Sequence, residues 1–436
     1  MITVCKFGGT SLADADSIRR AASIVRSDPG RRYVVVSAPG KRFPDDDKVT
    51  DLLLQCQHLS AQKKDFSGPF TALRARFEQI ARELGTGLDL KDRFDDLYVR
   101  LEQGTSADYA ASRGEYFNGL IVSAFLGCPF VDAKEVIRFH DDRAPDYEGS
   151  IRLLGELLKE YPRAVIPGFY GSKADGTVCT FSRGGSDVTG SLVAAAVGAD
   201  LYENWTDVSG LLMADPRIVP DAKSIPVVTY RELRELSYMG ATVLHEDAVF
   251  PVRSRDIPIR ICNTLHPEEP GTRIVSDAPA DPGSLTGIAG KKGFSALFME
   301  KDRMNAEIGF GRKVLSVLED ADISFEHLPS GIDTLSVLVE SAMLEGREEP
   351  ILAAMQEAAQ PDRMHLEKDL ALIAVVGRGM IRSPGSAAKL FTALANAGIN
   401  VRMIDQGSSE LNVIVSVEEK DYERAIRAVY REFVPT

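Results

Sequence analysis

The sequence predicts an α/β protein in which a mostly parallel sheet is followed by two smaller ferredoxin-like modules. Up to about residue 275, short β-branched runs alternate with segments of helical periodicity, which is the pattern of a parallel sheet with crossover helices. A stretch rich in Pro, Gly and Asp at 267–284 then marks a domain boundary. Beyond it, the chain repeats one pattern twice. We therefore predict three parts: a domain over 1–280 and modules over 288–363 and 364–436.

The first domain opens with the strand TVCKF, which carries a lysine, Lys6, next to its last residue and is followed at once by Gly8 and Gly9. Ser11, with Asp14 three residues later, predicts the start of a helix. The remaining elements follow in alternation: the strand YVVVSA, a helix from Thr50, a long helix over about 106–126, the strands in PFVDA and AVIPGF, a helix after Gly185, and the strand LYENWT.

The last part of the chain contains an internal repeat. The segment from Ile323 aligns without gaps on the segment from Ile399, and the same offset of 76 residues places Gly309 on Gly385. Two copies of one module are the simplest cause of this register. Each copy has the order strand, helix, strand, strand, helix, so we predict a ferredoxin-like βαββαβ fold for both. Two such modules packed together favour a sensor of small zwitterions.

Composition excludes several classes of function. Lys and Arg total 51 against 64 Asp and Glu, a net charge of −13, which argues against binding to nucleic acid or anionic membranes. Five scattered cysteines form neither a disulfide framework nor a zinc motif, so we expect the reducing cytoplasm. We expect neither a secretory leader nor a membrane helix, because Lys6 and Gly8 interrupt the opening segment and no apolar run is long enough to span a membrane. Phosphorylated small molecules are the expected partners.

Lys6 raises the first chemical hypothesis. A strand with a lysine near its end, followed by glycines and a helix start, presents backbone N–H groups to an anion. The lysine precedes the glycines, so this is not the P-loop pattern, and no dinucleotide fingerprint lies near it. We interpret the segment as a phosphate site of another design. A surface lysine before a glycine turn remains the alternative from this stretch alone.

Three further segments carry candidate residues. Arg183 precedes two glycines and a helix start, where its planar guanidinium suits a carboxylate. Glu115 lies in a helix among small neighbours, which leaves room for a ligand's ammonium group. Asp207 and Arg217 lie in a loop that follows a strand, where α/β sheets bind ligands. Taken singly, each also fits a solvated side chain or ordinary turn chemistry.

Taken together, and in this order, the motifs KFGGTS, SAPG, SRGE, RGGSD, WTDVSG with ADPR, and MGATVLH, followed by a duplicated module, resemble the aspartokinases of the amino acid kinase superfamily. The resemblance covers nearly the whole chain. It implies an amino-acid-kinase domain followed by two ACT modules. It also implies transfer of the ATP γ-phosphate to the β-carboxylate of L-aspartate, with ATP and Mg²⁺ as cofactors and no protein metal ligands assigned.

The resemblance also implies roles for individual positions. Lys6 and Asp187 match the catalytic pair, with Lys6 meeting the transferred phosphoryl group and Asp187 orienting that lysine or the metal-bound phosphates. The positions that match the aspartate site are Thr50, Glu115, Arg183 and Ser186. The positions that match the ATP site are Lys6, Gly8, Gly9, Ser37, Thr206, Asp207, Leu212, Arg217 and Thr242.

The chain departs from the commoner family pattern at three positions. Thr242 replaces a nucleotide-binding lysine, Leu212 replaces a tyrosine, and Ser182 replaces a glycine. Some other cation must then compensate for the missing lysine. Lys41 and Arg42 are the candidates, because they lie in a long loop between Ser37 and Thr50.

For regulation, the resemblance implies lysine or threonine as the effector, and Asp333 favours lysine because its carboxylate would meet the second ammonium group. A carboxylate that merely caps a hairpin is the alternative. The candidate effector contacts are Met304, Asn305, Ser330, Gly331 and Asp333 in the first module and Gln406, Ser408 and Glu410 in the second. Pairing of ACT modules between chains implies a homodimer or a dimer of dimers.

Two other functions remain open from the sequence. The first is a kinase of another amino acid or of carbamate, which the duplicated modules disfavour. The second is a catalytically inactive amino-acid sensor built on the kinase fold. Thr242 favours the sensor, whereas intact Lys6, Glu115, Arg183 and Asp187 disfavour it.

Overall fold

The protein is described by a computed structural model that covers residues 1–182, 184–241, 244 and 246–434. Its contacts group the chain into two compact units. The first contains residues 1–211, 224–230 and 243–278, and the second contains residues 212–223, 231–242 and 279–436. Two short segments of the region predicted as one domain, 212–223 and 231–242, thus fold with the C-terminal part of the chain. The boundaries drawn from the sequence at 280, 288 and 364 stay predictions.

The first unit is built on a seven-stranded sheet with the order β5-β2-β1-β8-β10-β11-β9, beside a small sheet with the order β4-β3-β6-β7. In the large sheet β10 and β11 run antiparallel, and the other five neighbouring pairs are parallel, which confirms the predicted fold class. The strands are β1 (Thr3–Phe7), β2 (Arg31–Val36), β3 (Arg138–Phe139), β4 (Pro145–Asp146), β5 (Ala164–Pro167), β6 (Tyr170–Ser172), β7 (Val178–Thr180), β8 (Leu201–Thr206), β9 (Val227–Thr229), β10 (Ile259–Asn263) and β11 (Thr272–Val275).

Helices connect these strands and supply much of the core. They are α1 (Ala15–Ser27), α2 (Val49–Ala61), α3 (Ser67–Glu83), α4 (Lys91–Glu102), α5 (Ala107–Leu126), α6 (Ala133–Val136), α7 (Tyr147–Leu158), α8 (Gly185–Val197), α9 (Tyr230–Tyr238) and α10 (Glu246–Arg253). All but the first residue of α9 belong to the second unit. Strands β1 and β5 are entirely buried and β2 is largely buried, as expected for a parallel sheet covered on both faces.

The start of the first helix differs from the prediction. Asp14, not Ser11, caps α1, because its side chain accepts a hydrogen bond of 2.8 Å from the Ser17 amide. Ser11 lies in a short 3₁₀ turn, and its hydroxyl pairs with that of Thr264 at 3.0 Å. Both residues are good caps, and a tertiary partner that is distant in sequence decides between them.

The second unit contains a five-stranded sheet with the order β13-β12-β14-β16-β15. Its strands are β12 (Gly287–Glu300), β13 (Thr334–Glu340), β14 (Arg363–Val376), β15 (Met403–Asp405) and β16 (Asn412–Glu418), and its further helices are α11 (Phe310–Asp320), α12 (Ser341–Leu344), α13 (Glu348–Ala359), α14 (Ser386–Asn396) and α15 (Tyr422–Phe433). The repeat is visible at the two corresponding helix starts. Gly309 and Gly385 precede α11 and α14 with φ of +86° and +93°, a conformation that favours glycine.

The modules are nested in the chain. The first half of β12 pairs with the second half of β14, as in the pair Ile288 and Val375, whereas the second half of β12 pairs with β13 and the first half of β14. One hydrophobic core accordingly includes Ile288 together with α14 and α15, and another contains Leu297 together with α11 and α13. The residues that build the first core's module therefore flank the other module on both sides in sequence.

Two further observations bear on the environment of the protein. Within the described ranges, no helix combines the length and apolar character that a membrane crossing requires. All five cysteines are free thiols, and four of them are buried. The cytoplasmic location expected from the sequence stays a prediction.

Candidate active site

The predicted phosphate-site residues gather at one edge of the large sheet. Strand β1 pairs in parallel with both β2 and β8, so the segments that follow these three strands meet at their carboxyl ends. The residues directly after the ends of β1, β2 and β8 are Gly8, Ser37 and Asp207. The Ser37 amide donates to the Phe7 carbonyl at 3.2 Å, which ties two of the segments together.

Lys6 and Asp187 form a buried ion pair at this edge. The Lys6 Nζ lies 2.6 Å from the Asp187 Oδ1, and the two side chains are 10% and 16% exposed. Asp187 lies in the first turn of α8, which begins after Gly184 with φ of +58°. Asn204 of β8 donates through its Nδ2 to the same Asp187 oxygen at 2.8 Å. A lysine held in this way is a fixed point charge, which is the kind of group that phosphoryl transfer uses.

The glycine loop after β1 is held tightly. The Gly8 amide donates to the Trp205 carbonyl at 3.0 Å, so it is committed to the sheet. The Gly9 carbonyl accepts from the Gly40 amide at 2.8 Å, and a Cβ built on Gly40 would lie 2.6 Å from the Gly9 carbonyl carbon. Only glycine at position 40 permits this approach of two loops. Of the two amides proposed for phosphate binding, Gly9 is therefore the better candidate.

Glu115 is a buried carboxylate on α5. Its Oε2 has no hydrogen-bond partner within the described part of the chain, and the residue is 6% exposed. Burial raises the pKa of Glu115 to about 8, partly opposed by a hydrogen bond from the Ala38 amide. Three residues further along α5, Asn118 donates to the Ser37 carbonyl at 2.7 Å, so α5 fixes the segment that follows β2. An isolated glutamate at this helical position is predicted from the sequence to be solvated, and the burial of Glu115 contradicts that prediction.

A cavity of ≈500 Å³ opens beside the substrate residues. Thr50, in the first turn of α2, lines it together with Phe169 and Ser182. Ser186 is buried in the first turn of α8, and a Cβ on Gly168 would lie 2.7 Å from the Ser186 Cβ. Arg183, the predicted partner of the α-carboxylate, lies outside the described residues.

The predicted nucleotide residues are divided between the units. In the first unit, the Thr206 hydroxyl donates to Asp207 at 3.2 Å. Leu212 and Arg217 belong to the second unit, where Arg217 pairs with Asp215 at 2.6 Å and lowers the pKa of that carboxyl. Thr242, the position of the replaced lysine, lies outside the described residues.

The two cations proposed to compensate at that position differ in their surroundings. Arg42 forms a two-pronged pair with Asp46, with its Nη2 at 2.7 Å and its Nε at 2.8 Å from the two oxygens. This pair holds the pKa of Asp46 well below its usual range. Lys41 is exposed, and its Nζ donates to the Pro44 carbonyl at 3.0 Å. Lys41 is thus the more available cation of the two.

The predicted effector loops lie in the second unit. Met304 is buried, the Asn305 amide donates to the Ile332 carbonyl, and Ser330 forms a bridge to Leu335. One oxygen of Asp333 accepts from the Arg303 amide at 2.9 Å, so this carboxylate does cap its hairpin.

The second module has a comparable arrangement. The Glu410 carboxylate accepts from the Arg382 amide at 2.6 Å. Gln406, Gly407 and Ser408 lie in the adjoining exposed turn.

Sequence reasoning missed two residues of this region. Asn204 is a buried polar residue within a central strand, and that unusual position was the available signal. Phe169 lines the cavity with φ of +76°, a conformation that a phenylalanine rarely adopts. No sequence pattern predicts this backbone conformation of Phe169, because the neighbours that enforce it come from other elements.

Comparison with known proteins identifies the family. The pattern of the amino acid kinase family matches residues 1–263, and that of the ACT domain matches residues 373–433. Fold and site together define an amino acid kinase with C-terminal ACT modules. Aspartokinase 3 of Bacillus subtilis is 37% identical over 99% of this chain and 98% of its own length. The chain belongs to the aspartokinase family, as the sequence motifs predicted.

Solved structures give the same result. The aspartate kinase of Clostridium acetobutylicum superposes with a TM-score of 0.92 at 48% identity, over 99% of each chain. Aspartokinase III of E. coli was solved with aspartate and ADP and also with lysine and aspartate. Both structures superpose with a TM-score of 0.74 over 99% of each chain, at 26% and 27% identity.

Proposed function

We propose that the protein transfers the γ-phosphoryl group of ATP to the β-carboxylate of L-aspartate and so forms 4-phospho-L-aspartate. The observation that carries this choice of substrate is Glu115, a buried carboxylate at the sheet edge that also holds the Lys6–Asp187 pair. One of its oxygens has no hydrogen-bond partner in the described part of the chain. Such an oxygen is costly to leave unpaired, and the ammonium group of an amino acid would satisfy it. The E. coli relative was solved with aspartate and ADP, which supports the same assignment.

The residues divide the work between the two substrates. Glu115 binds the ammonium group, Thr50 and Ser186 line the aspartate site, and Arg183 is proposed from the resemblance to bind the α-carboxylate. The β-carboxylate needs no base, because it is ionised at neutral pH and is itself the nucleophile. Its oxygen forms a bond to the γ-phosphorus while the bond from that phosphorus to the bridging oxygen breaks, and ADP leaves.

The charge of the transferred group is met by the chain's own cation. Lys6 places its ammonium at the sheet edge, and Asp187 holds it there through one oxygen. When bound, Mg²⁺ supplies further neutralisation of the phosphates. The side chain of Asp187 is 16% exposed, so its second oxygen would be the group of this chain that faces the metal-bound phosphates. The Gly9 amide and Ser37 are the proposed neighbours on the other side.

For regulation we propose lysine as the effector, bound at the two loops of the ACT modules. The E. coli relative solved with lysine and aspartate supports this choice over threonine. Asp333 uses one carboxylate oxygen for the Arg303 amide, and its other oxygen is proposed to receive the side-chain ammonium group. A homodimer or a dimer of dimers through the ACT modules, and a place at the first step of lysine, threonine and methionine biosynthesis, complete the proposal.

The test is formation of an acyl hydroxamate when the protein, MgATP and L-aspartate are incubated with hydroxylamine, which traps an acyl phosphate. We expect product with aspartate, little with glutamate, and inhibition by lysine more than by threonine. Lys6→Ala serves as the inactive control. Absence of product with aspartate, together with retained binding of lysine by calorimetry, would overturn the kinase proposal in favour of the sensor.

A further inference from the structure

Asn204 is a buried polar side chain that donates a hydrogen bond to Asp187. It is 3% exposed in β8, and the strand register places it directly beside Lys6 of β1. An amide buried in a central strand lowers stability unless it is hydrogen-bonded. Its Nδ2 donates to the Asp187 Oδ1 at 2.8 Å, so the bond is directed at the ion pair and not at the backbone.

The two donors share one oxygen of Asp187. Lys6 reaches the Oδ1 at 2.6 Å and Asn204 reaches the same atom at 2.8 Å. Two donors on one oxygen fix both the position and the rotation of a carboxylate, since a single contact would leave it free to turn. The other oxygen is thereby directed away from these two donors.

The turn of helix that carries Asp187 is held separately. Tyr202, two residues before Asn204 and on the same face of β8, donates through its hydroxyl to the Asp187 backbone carbonyl at 3.1 Å. A Cβ on Gly190 would lie 2.5 Å from that hydroxyl, so α8 packs closely against the ring. The strand therefore contacts Asp187 twice, once at the backbone through Tyr202 and once at the carboxylate through Asn204.

We infer that Asn204 is a positioning residue for phosphoryl transfer, which holds the Asp187 carboxylate in the one orientation that both fixes Lys6 and leaves the second oxygen for the nucleotide. This inference rests on the proposed function, because it assigns Lys6 and Asp187 their roles. Asn204 touches neither substrate in this scheme. Its effect passes through Asp187, so it acts on turnover and leaves aspartate binding at Glu115 unchanged.

The test compares Asn204→Leu with Tyr202→Phe in the hydroxamate assay. Leucine has a similar volume but no donor, and we expect kcat to fall about 10- to 100-fold with the KM for aspartate changed less than about twofold. Tyr202→Phe removes a hydrogen bond to the same residue, and it is expected to lower Tm with kcat within about threefold of wild type. Equal kcat values for the two variants would overturn the inference.

A double-mutant cycle separates positioning from general damage. In an Asp187→Ala background, Asn204→Leu is expected to reduce kcat no further, because its target is already absent. An undiminished loss in that background would show that Asn204 acts elsewhere. If Asn204→Leu does not fold, Asn204→Ser removes the contact by shortening the side chain, and this variant takes the place of Asn204→Leu in both experiments.

The failure of this inference is distinguishable from the failure of the proposed function. A wild-type protein without aspartate-dependent product overturns the proposed function, whereas an active wild type with a fully active Asn204→Leu overturns this inference alone.

Discussion

Asp187 is a partly exposed carboxylate and Glu115 is a buried one, both near the same sheet edge, and they differ in their hydrogen-bond partners. Asp187 has two donors on one oxygen, Lys6 and Asn204, both supplied by the protein itself. Glu115 retains an oxygen without a hydrogen-bond partner among the residues that the structure describes, and burial raises its pKa to about 8. The protein itself supplies two donors to an oxygen of Asp187, whereas the described residues supply none to the Glu115 Oε2.

The difference follows from where each positive partner originates under the proposed function. The cation beside Asp187 belongs to the chain and must be oriented before the phosphoryl group arrives, because preorganised charges need no rearrangement during the reaction. The cation for Glu115 arrives with the substrate. An unpaired buried carboxylate then acts as a filter, because a ligand without an ammonium group leaves it unpaired.

The largest expected effect comes from removing Lys6, the cation that pairs with Asp187. Lys6→Ala removes the cation from the proposed phosphoryl site. Of the two groups that contact the Asp187 Oδ1, only Asn204 then remains. We expect kcat to fall by about 10²- to 10³-fold, with the KM for aspartate little changed. Steady-state hydroxamate kinetics measure both constants. A rise in KM with normal kcat would contradict the division of roles.

Neutralising Glu115 should weaken the binding of aspartate and at the same time stabilise the fold. In Glu115→Gln the side chain that would bind the ammonium group of aspartate is no longer charged, and we expect the KM for aspartate to rise about 100-fold. The variant should nevertheless be more stable at pH 8, by on the order of a few kcal/mol, because glutamine is buried without the proton that Glu115 must take up on folding. Urea titrations at several pH values measure the free energy of unfolding.

The size of that stability effect depends on pH. The folded pKa of Glu115 is raised from its usual value of 4.5 to about 8, so its contribution to stability is fully present below about 4.5 and is lost as the pH rises to about 8. The advantage of Glu115→Gln should therefore be small at pH 4.5 and grow up to pH 8. An advantage that is constant across this range would rule out the buried charge as its cause.

Aspartate binding should show the same titration. Below pH 8 the free protein carries Glu115 largely protonated, and the proton must leave before the carboxylate pairs with an ammonium group. We expect the KM for aspartate to fall as the pH rises from 6 to 8, by up to about tenfold per pH unit. Glu115→Gln is the control, and its weaker binding should be nearly independent of pH over this interval.

The smallest effect concerns the cations of the loop after β2. Arg42 is already paired with Asp46, whereas the nearby Lys41 contacts a backbone carbonyl. Lys41→Ala is therefore expected to raise the KM for ATP about threefold to tenfold, a scale set by one partly exposed charge. Arg42→Ala should change it less. The reverse order would mean that the Arg42–Asp46 pair opens when the nucleotide binds.

The sequence predicted most of the architecture because its signals are local. The β-branched runs, Gly309 and Gly385 with their repeat offset, and the order of the motifs all survive in the structure. Asn204 and Phe169 escaped because their roles depend on neighbours from distant segments. The assignment of Ser11 as a cap was wrong for the same reason.

The nesting of the two ACT modules has a consequence for the order in which the chain folds. Ile288 meets Val375 across the sheet, although the whole of the other module lies between them in sequence. Closing so long a loop as a flexible coil costs chain entropy, and that cost falls once the intervening residues are compact. The inner module, with its more local contacts, is therefore expected to form first and to bring the two outer strand halves together. Hydrogen exchange during refolding should then protect the amides around Leu297 before those around Ile288.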